Sequence, residues 1–153
     1  MDSKIIVKIP IDIIGEIAYF TNNCDVEIGG LLGFEAEGEN IIKCKRILTM
    51  PGSKHDQAYF EISQKDIADK LIDLSLKGDG FVVNGWWHSH VNMDVFESAT
   101  DSGMVEDLLQ FTPIVVTLIT NKDGKLYTSI TVKVGDGIIP INRDNIETVI
   151  VPE

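Results

Sequence analysis

Apolar residues recur along this chain at the 3.6-residue period of helices in some stretches and in strand-like runs in others. A first helix is predicted from Pro10 to about Asn23, because Ile13 and Ile17 share one face and proline is favoured at a helix start. The remaining predicted elements are two helices, over 63–77 and 98–111, and strands over 5–7, 27–35, 41–50, 58–62, 81–90, 113–120 and 126–134.

This order of elements predicts an α+β fold, in which a mixed, largely antiparallel β-sheet is flanked by helices. The segment from Asn121 to Lys125 is typical of a hairpin turn that joins two of the strands. After residue 135 the tail is predicted to hold one or two short strands. The 153 residues suffice for one substantial core, and no linker or repeat interrupts them, so a single domain over residues 1–153 is predicted.

The composition argues against two classes of protein. The net charge is −11 and the lysines form no basic stripe, so no general nucleic-acid binding is predicted. No apolar run approaches the ~20 residues that span a bilayer and the first residues lack a signal-peptide pattern, so no membrane association and a cytoplasmic location are predicted. Cys24 and Cys44 lack the spacing of a metal or redox motif and are predicted to be small buried side chains.

A cluster of chemically capable residues follows the predicted strand over 81–90. His88 and His90 are two positions apart, so in a strand both side chains point to the same face, roughly 7 Å apart along the backbone. Asp101 lies at the start of the next predicted helix, and the short intervening segment can fold it back to the strand end. Two imidazoles and one carboxylate suit zinc better than magnesium or calcium, which prefer oxygen ligands. A zinc site with an open fourth position is therefore predicted.

Each of these residues also has a simpler interpretation. The two histidines could form ordinary hydrogen bonds at a strand end. Ser98, followed by Asp101 three residues later, is typical of a helix N-cap with an acid in the first turn, a role compatible with metal binding. Glu27 precedes a glycine-rich strand and could be a solvated surface acid. Its functional interpretation depends on the neighbouring glycines, which could admit water and a substrate backbone.

With these motifs the sequence resembles the JAMM (MPN-plus, or JAB) family of zinc metallopeptidases. Residues 27–33 read E-I-G-G-L-L-G, close to the family's upstream motif, and residues 88–101 match its pattern H-S-H-x7-S-x2-D. The resemblance implies that His88, His90 and Asp101 bind one zinc ion, with Glu27 as the general acid/base and Ser98 as the oxyanion donor. It also implies the family's JAB/MPN architecture, which is related to cytidine deaminases.

The resemblance further implies a partner: a protein substrate with an extended C-terminal tail, such as a ubiquitin-like protein, cleaved at a peptide or isopeptide bond after its glycines. Residues 56–62 could supply an edge strand that holds such a tail, or could be an ordinary edge strand. The family's usual proline after the second histidine is Val91 here, and the string is closer to compact prokaryotic or phage members. A non-catalytic MPN-like scaffold, or cleavage of a sulfur-carrier or phage structural protein, are the alternatives.

Overall fold

The computed structural model of the protein describes residues 4–50, 54–55, 60–61, 82–96 and 99–152. Within these ranges lie helix α1 (Ile11–Asn23), helix α2 (Ala99–Leu108) and a 3-10 helix (Arg143–Asn145). The strands are β1 (Ile5–Pro10), β2 (Gly29–Gly38), β3 (Ile41–Met50), β4 (Lys54–His55), β5 (Phe60–Glu61), β6 (Val82–Ser89), β7 (Ile114–Thr120), β8 (Leu126–Val134), β9 (Gly137–Pro140) and β10 (Ile146–Val151).

Eight of the described strands form one mixed sheet, in the order β10-β1-β3-β2-β6-β7-β8-β9. Strand β1 runs parallel to both of its neighbours, and β6 runs parallel to β7, while the other neighbouring pairs are antiparallel. The crossover from β6 to β7 passes through α2, as parallel pairing requires a long connection. This crossover brings the start of α2 close to the end of β6.

The prediction of a helix-flanked α+β layout of JAB/MPN type is wrong for this protein. The described chain is mainly one eight-stranded sheet, accompanied by helices of only 13 and 10 residues. At a rise of 1.5 Å per residue these helices are about 20 and 15 Å long, whereas eight strands spaced ~4.8 Å apart span about 34 Å. The tail adds β9 and β10 at opposite edges, which widens the sheet beyond what such short helices can cover.

Apolar residues pack on both faces of this sheet. The adjacent residues Trp86 and Trp87 are fully buried and belong to different clusters, because successive side chains of a strand point to opposite faces. Trp86 shares its cluster with residues of β2, α2 and β7, namely Leu31, Met104, Val105, Leu108 and Val115. Trp87 shares the other with residues of β1, α1 and β2, including Val7, Ile9, Ile13, Ile17 and Leu32. At ~25 cal/mol per Å², each buried indole contributes about 4–6 kcal/mol as an upper estimate.

Several local predictions are confirmed, with shifted ends. Helix α1 begins directly after Pro10 and ends at Asn23, and β3 has the predicted bounds. The turn after β7 joins β7 to β8 as an antiparallel hairpin, with Gly124 at a positive φ of 78°. The predicted helix over 63–77 lies outside the described residues, as does most of the predicted strand over 58–62. Among the described helices, none has the length and apolar character needed to cross a membrane.

Candidate metal centre

Three elements bring the candidate site together at one end of the sheet. His88 is the penultimate residue of β6 and pairs with Gly29, the first residue of β2. Glu27 lies two residues before that glycine, so it reaches the same end of the sheet. Asp101 is the third residue of α2, which the crossover from β6 places beside the end of that strand. The residues thus come from three separate stretches of sequence.

The carboxylate of Asp101 contacts both imidazoles. Its Oδ1 lies 2.5 Å from Nε2 of His88, and its Oδ2 lies 3.3 Å from Nε2 of His90. The three residues are each 1% exposed. Two donors bound to one tetrahedral zinc at ~2.0–2.1 Å lie roughly 3.3 Å apart. The Asp101–His90 separation matches this value and the Asp101–His88 contact is shorter, so the carboxylate and the two Nε2 atoms converge on one point.

A hydrogen bond at Nδ1 of His90 determines that only the other ring nitrogen, Nε2, can bind a metal. Nδ1 of His90 lies 2.8 Å from the backbone carbonyl oxygen of Asp94. A carbonyl oxygen only accepts, so Nδ1 must carry the hydrogen, and the neutral ring presents its lone pair at Nε2. Such a hydrogen bond is the usual way in which proteins orient a metal-binding histidine. Phe96 also packs edge-on against this ring, with 5.0 Å between centroids.

His88 is held between two carboxylates and an aromatic ring. Its Nδ1 lies 3.1 Å from Oε1 of Glu27, which is 3% exposed, and its Nε2 faces Asp101. The indole of Trp86 stacks on it, with 4.7 Å between centroids and 2° between planes. Burial by itself lowers the pKa of His88, but the carboxylates of Asp101 and Glu27 outweigh it and raise the pKa above its usual value.

The donor set fits a divalent metal ion. Glu27, His88 and His90 each offer one ligand atom, and these atoms lie within 4.8 Å of one another, so this buried group could hold a metal ion. Asp101 adds a second carboxylate against the same two rings. Two buried carboxylates carry more negative charge than a single protonated His88 offsets, and a dication would neutralise the excess. Nitrogen and carboxylate ligands together are typical of zinc and other transition metals, and nothing in this geometry identifies one of them.

The structure brings together four of the five residues that the sequence suggested. Glu27, His88, His90 and Asp101 all lie in the buried cluster. Ser98 lies outside the described residues, so its assignment as an oxyanion donor or N-cap stays a prediction. Trp86 also lines the site, because its indole stacks on the His88 ring.

Val91 marks the point at which this chain departs from the family that it resembles. Its φ is 60°, in the left-handed region, whereas a proline ring holds φ near about −65°. Oγ of Ser89 accepts the backbone N–H of Val91 at 2.9 Å, and a proline has no N–H to donate. The loop after His90 therefore follows a path that the family's usual proline excludes.

Two contributors to the site were missed at the level of sequence. Asp94 acts through its backbone carbonyl, which every residue type possesses, so no sequence signal could identify it. Asn121 was predicted only as part of a hairpin turn, yet it is 3% exposed and its Nδ2 donates to the carbonyl of Met93. The signal available for Asn121 was its place at the start of N-K-D-G, which indicates a turn and nothing further.

Comparisons with known proteins describe the fold and not the activity. No protein-family model matches the chain, and no curated protein matches it. Among solved structures, the chain is similar to the solution structure of protein DSY2949 from Desulfitobacterium hafniense, with 19% identity and a TM-score of 0.67. The match covers 96% of this chain and 94% of that one. Similarity at this identity concerns the fold alone, so the resemblance to JAMM peptidases remains a prediction.

Proposed function

We propose that this protein is a zinc-dependent peptidase that hydrolyses a peptide or isopeptide bond. The observation that carries the proposal is the convergence of two buried imidazole Nε2 atoms on the Asp101 carboxylate, with a second carboxylate, Glu27, on the far side of one ring. The substrate class, a protein with an extended glycine-rich tail such as a ubiquitin-like protein, comes from the resemblance to the JAMM family.

Two sets of zinc ligands are possible, His88 and His90 with either Asp101 or Glu27, and the hydrogen bonds of the two rings favour the set with Asp101. Nδ1 of His90 donates to a carbonyl, so that ring can bind a metal only through Nε2, beside Asp101. If His88 also binds through Nε2, its Nδ1–H donates to Glu27, which supplies the outer partner that metal-binding histidines usually have. The ligands of the proposed zinc are therefore His88, His90 and Asp101, and Glu27 stands outside the ligand set.

Each side chain then has a distinct chemical task. Zinc held by His88, His90 and Asp101 would supply a polarised scissile carbonyl and a bound water with a pKa lowered towards ~7. Oε1 of Glu27 accepts a hydrogen bond from the Nδ1–H of His88. Its Oε2 can take a proton from the attacking water and deliver it to the leaving amine, which contributes about 10²–10⁴-fold to the rate. Ser98 is proposed to donate a hydrogen bond to the developing oxyanion, worth a further ~10²–10³-fold.

Metal binding is the first requirement of the proposal. Purified protein should contain one zinc per chain by elemental analysis, and His88→Ala or His90→Ala should remove it. His55→Ala is the matched control, because it changes the remaining histidine of the sequence. Zinc at 100 times its Kd should stabilise the protein by about 2.7 kcal/mol, which raises Tm by roughly 5–11 °C for a chain of this size. Full zinc content in the double variant at 88 and 90 contradicts the assigned site.

Glu27→Gln separates the base from the ligands. The amide oxygen still accepts the His88 Nδ1–H, so the variant should keep its zinc, but it cannot take a proton and should lose at least ~10²-fold in hydrolysis of ubiquitin-like fusion proteins. Asp101→Asn should instead lose zinc. If Glu27→Gln loses zinc and Asp101→Asn retains it, the ligands are Glu27, His88 and His90, and the proposed division of roles is wrong.

One observation favours a second candidate, a metal-stabilised protein-interaction module without catalysis. Glu27, His88, His90 and Asp101 are four buried candidate ligands, and a coordination shell filled by four protein groups is typical of structural rather than catalytic zinc. In that case zinc should raise Tm as before, but the parent and Glu27→Gln should be equally inactive against a panel of ubiquitin-like fusions. If the parent cleaves a fusion protein and Glu27→Gln does not, the protein is an enzyme and the interaction-module alternative is wrong.

A further inference from the structure

The loop that follows His90 has an unusual backbone. The chain turns at Val91, whose φ of 60° is a conformation that β-branched residues rarely adopt. Val91 is buried, and its N–H donates to Oγ of Ser89 at 2.9 Å. A strained turn of this kind persists only when its surroundings hold it in place. The contacts that hold it therefore bear on the geometry of His90.

The turn between β7 and β8 provides those contacts. The backbone N–H of Lys122 donates to the carbonyl of Val91 at 2.7 Å. Nδ2 of Asn121 donates to the carbonyl of Met93 at 3.0 Å. In addition, the N–H of His90 donates to the carbonyl of Thr120 at 2.8 Å. Three successive residues of one segment thus hold the segment from His90 to Met93.

Asn121 links the turn and the loop through a single side chain. Its Oδ1 accepts the backbone N–H groups of Asp123 and Lys125, both at 3.1 Å, which shapes the turn. Its Nδ2 points the other way, to Met93. The side chain is 3% exposed, so these bonds do not compete with bulk water. An amide is the group that can accept on one side and donate on the other.

Asp94, the residue after Met93, orients the proposed metal ligand His90. The carbonyl of Asp94 accepts the Nδ1–H of His90 at 2.8 Å, which leaves Nε2 of that ring facing Asp101. A shift of the loop would move this carbonyl away from the ring. The position of the Asp94 carbonyl in turn depends on the anchor at Met93, one residue earlier.

We propose that Asn121 is a positioning residue for the metal centre, holding the loop so that the Asp94 carbonyl fixes the tautomer and orientation of His90. The inference rests on the proposed function, because it assumes that His90 binds zinc. Loss of an outer hydrogen bond to a metal-binding histidine typically costs 10–100-fold in metal affinity. Since Asn121 acts one step further from the metal, the lower value, about 10-fold, is expected for its loss.

Asn121→Asp tests the proposal with a minimal change of shape. A carboxylate still accepts the N–H groups of Asp123 and Lys125, but it cannot donate to the carbonyl of Met93. The Kd for zinc, measured by competition with a chromogenic chelator, should rise about 10-fold. Cobalt(II) substituted for zinc should show a changed visible absorption spectrum, because that spectrum reports the arrangement of the ligands.

Gly124→Ala is the matched control in the same turn. Gly124 has a φ of 78°, which disfavours alanine, and an added Cβ would meet nothing within 4 Å. This variant should therefore lower Tm while leaving the zinc Kd and the cobalt spectrum unchanged. Asn121→Ser serves if the aspartate variant does not fold, because a hydroxyl can still support the turn, though more weakly.

The possible outcomes are distinct. A parent protein that binds no zinc overturns the proposed function and this inference together. A parent that binds zinc, with an Asn121→Asp variant of equal affinity and unchanged cobalt spectrum, overturns the inference alone. Equal losses of zinc affinity in Asn121→Asp and Gly124→Ala also overturn it, because they would reflect the general stability of the turn.

Discussion

Replacing Asp101 by asparagine in the metal-free protein should destabilise it strongly at low pH and little at high pH. The substitution keeps the shape of the side chain but removes a buried negative charge, 2.5 Å from Nε2 of His88 and 3.3 Å from Nε2 of His90. Without metal, the carboxylates of Asp101 and Glu27 favour the protonated form of His88, which raises the pKa of that residue. Asparagine removes one of these two partners.

The size of the effect follows from the burial of the pair. Removing one partner of a buried ion pair costs about 3–5 kcal/mol. Glu27 still faces the other nitrogen of His88, at 3.1 Å, so the lower end of this range, about 3 kcal/mol, is expected. For a chain of this size 1 kcal/mol corresponds to about 2–4 °C in Tm, so the expected loss is roughly 6–12 °C.

The pH dependence has a definite sign. A histidine whose pKa is higher in the folded than in the unfolded state stabilises the fold fully below the unfolded value of about 6.5, and this contribution disappears as the pH rises through the folded value. The difference in Tm between parent and Asp101→Asn should therefore be greatest at about pH 6 and should shrink steadily at higher pH.

Thermal unfolding followed by circular dichroism, in the presence of a chelator and between about pH 5.5 and pH 9.5, measures this difference. Asp123→Asn is the control, because it makes the same change of net charge at an exposed position. A loss of Tm that is the same at every pH, or that grows towards high pH, would refute the argument that Asp101 stabilises the protonated form of His88.

Two further predictions concern the body of the protein. Gly85→Ala should destabilise the protein by about 1–3 kcal/mol, measured by urea denaturation. The added Cβ would lie 2.6 Å from Cε2 of Phe34 and 2.8 Å from the carbonyl oxygen of Val116. Unchanged stability would mean that β6 and β7 can separate at little cost. Burial raises the pKa of the Cys44 thiol to about 12, so a thiol reagent at about pH 8 should titrate only the half-buried Cys24 in the native protein, and both cysteines after denaturation. Fast labelling of Cys44 in the folded state would contradict its burial.

Local sequence patterns were sufficient to predict several elements. The helical spacing after Pro10 predicted α1, and the Asn121–Lys125 turn predicted the hairpin of β7 and β8, because both depend on residues a few positions apart. Strand alternation also predicted that His88 and His90 would point to the same side, and both rings contact Asp101. The candidate ligands could therefore be named before any tertiary information was available.

The architecture of the sheet could not be predicted in this way. Ile5 pairs with Ile146, and the strand formed by the tail lies at the edge of the sheet beside β1, a pairing between the two ends of the chain. Periodicity shows that a segment is extended, but not which partner it selects, because partner choice depends on packing of side chains from distant segments. The expected helix-flanked layout was wrong for this reason.

The sequence by itself determined the identities of the candidate ligands, because histidine and carboxylate chemistry resides in the side chains. Only the tertiary structure decided how each ring is oriented. Nδ1 of His90 donates to the backbone carbonyl of Asp94, and Asn121 supports the loop that carries this carbonyl. Every residue has such a carbonyl, so its role arises from where the folded chain places it and leaves no trace in residue type.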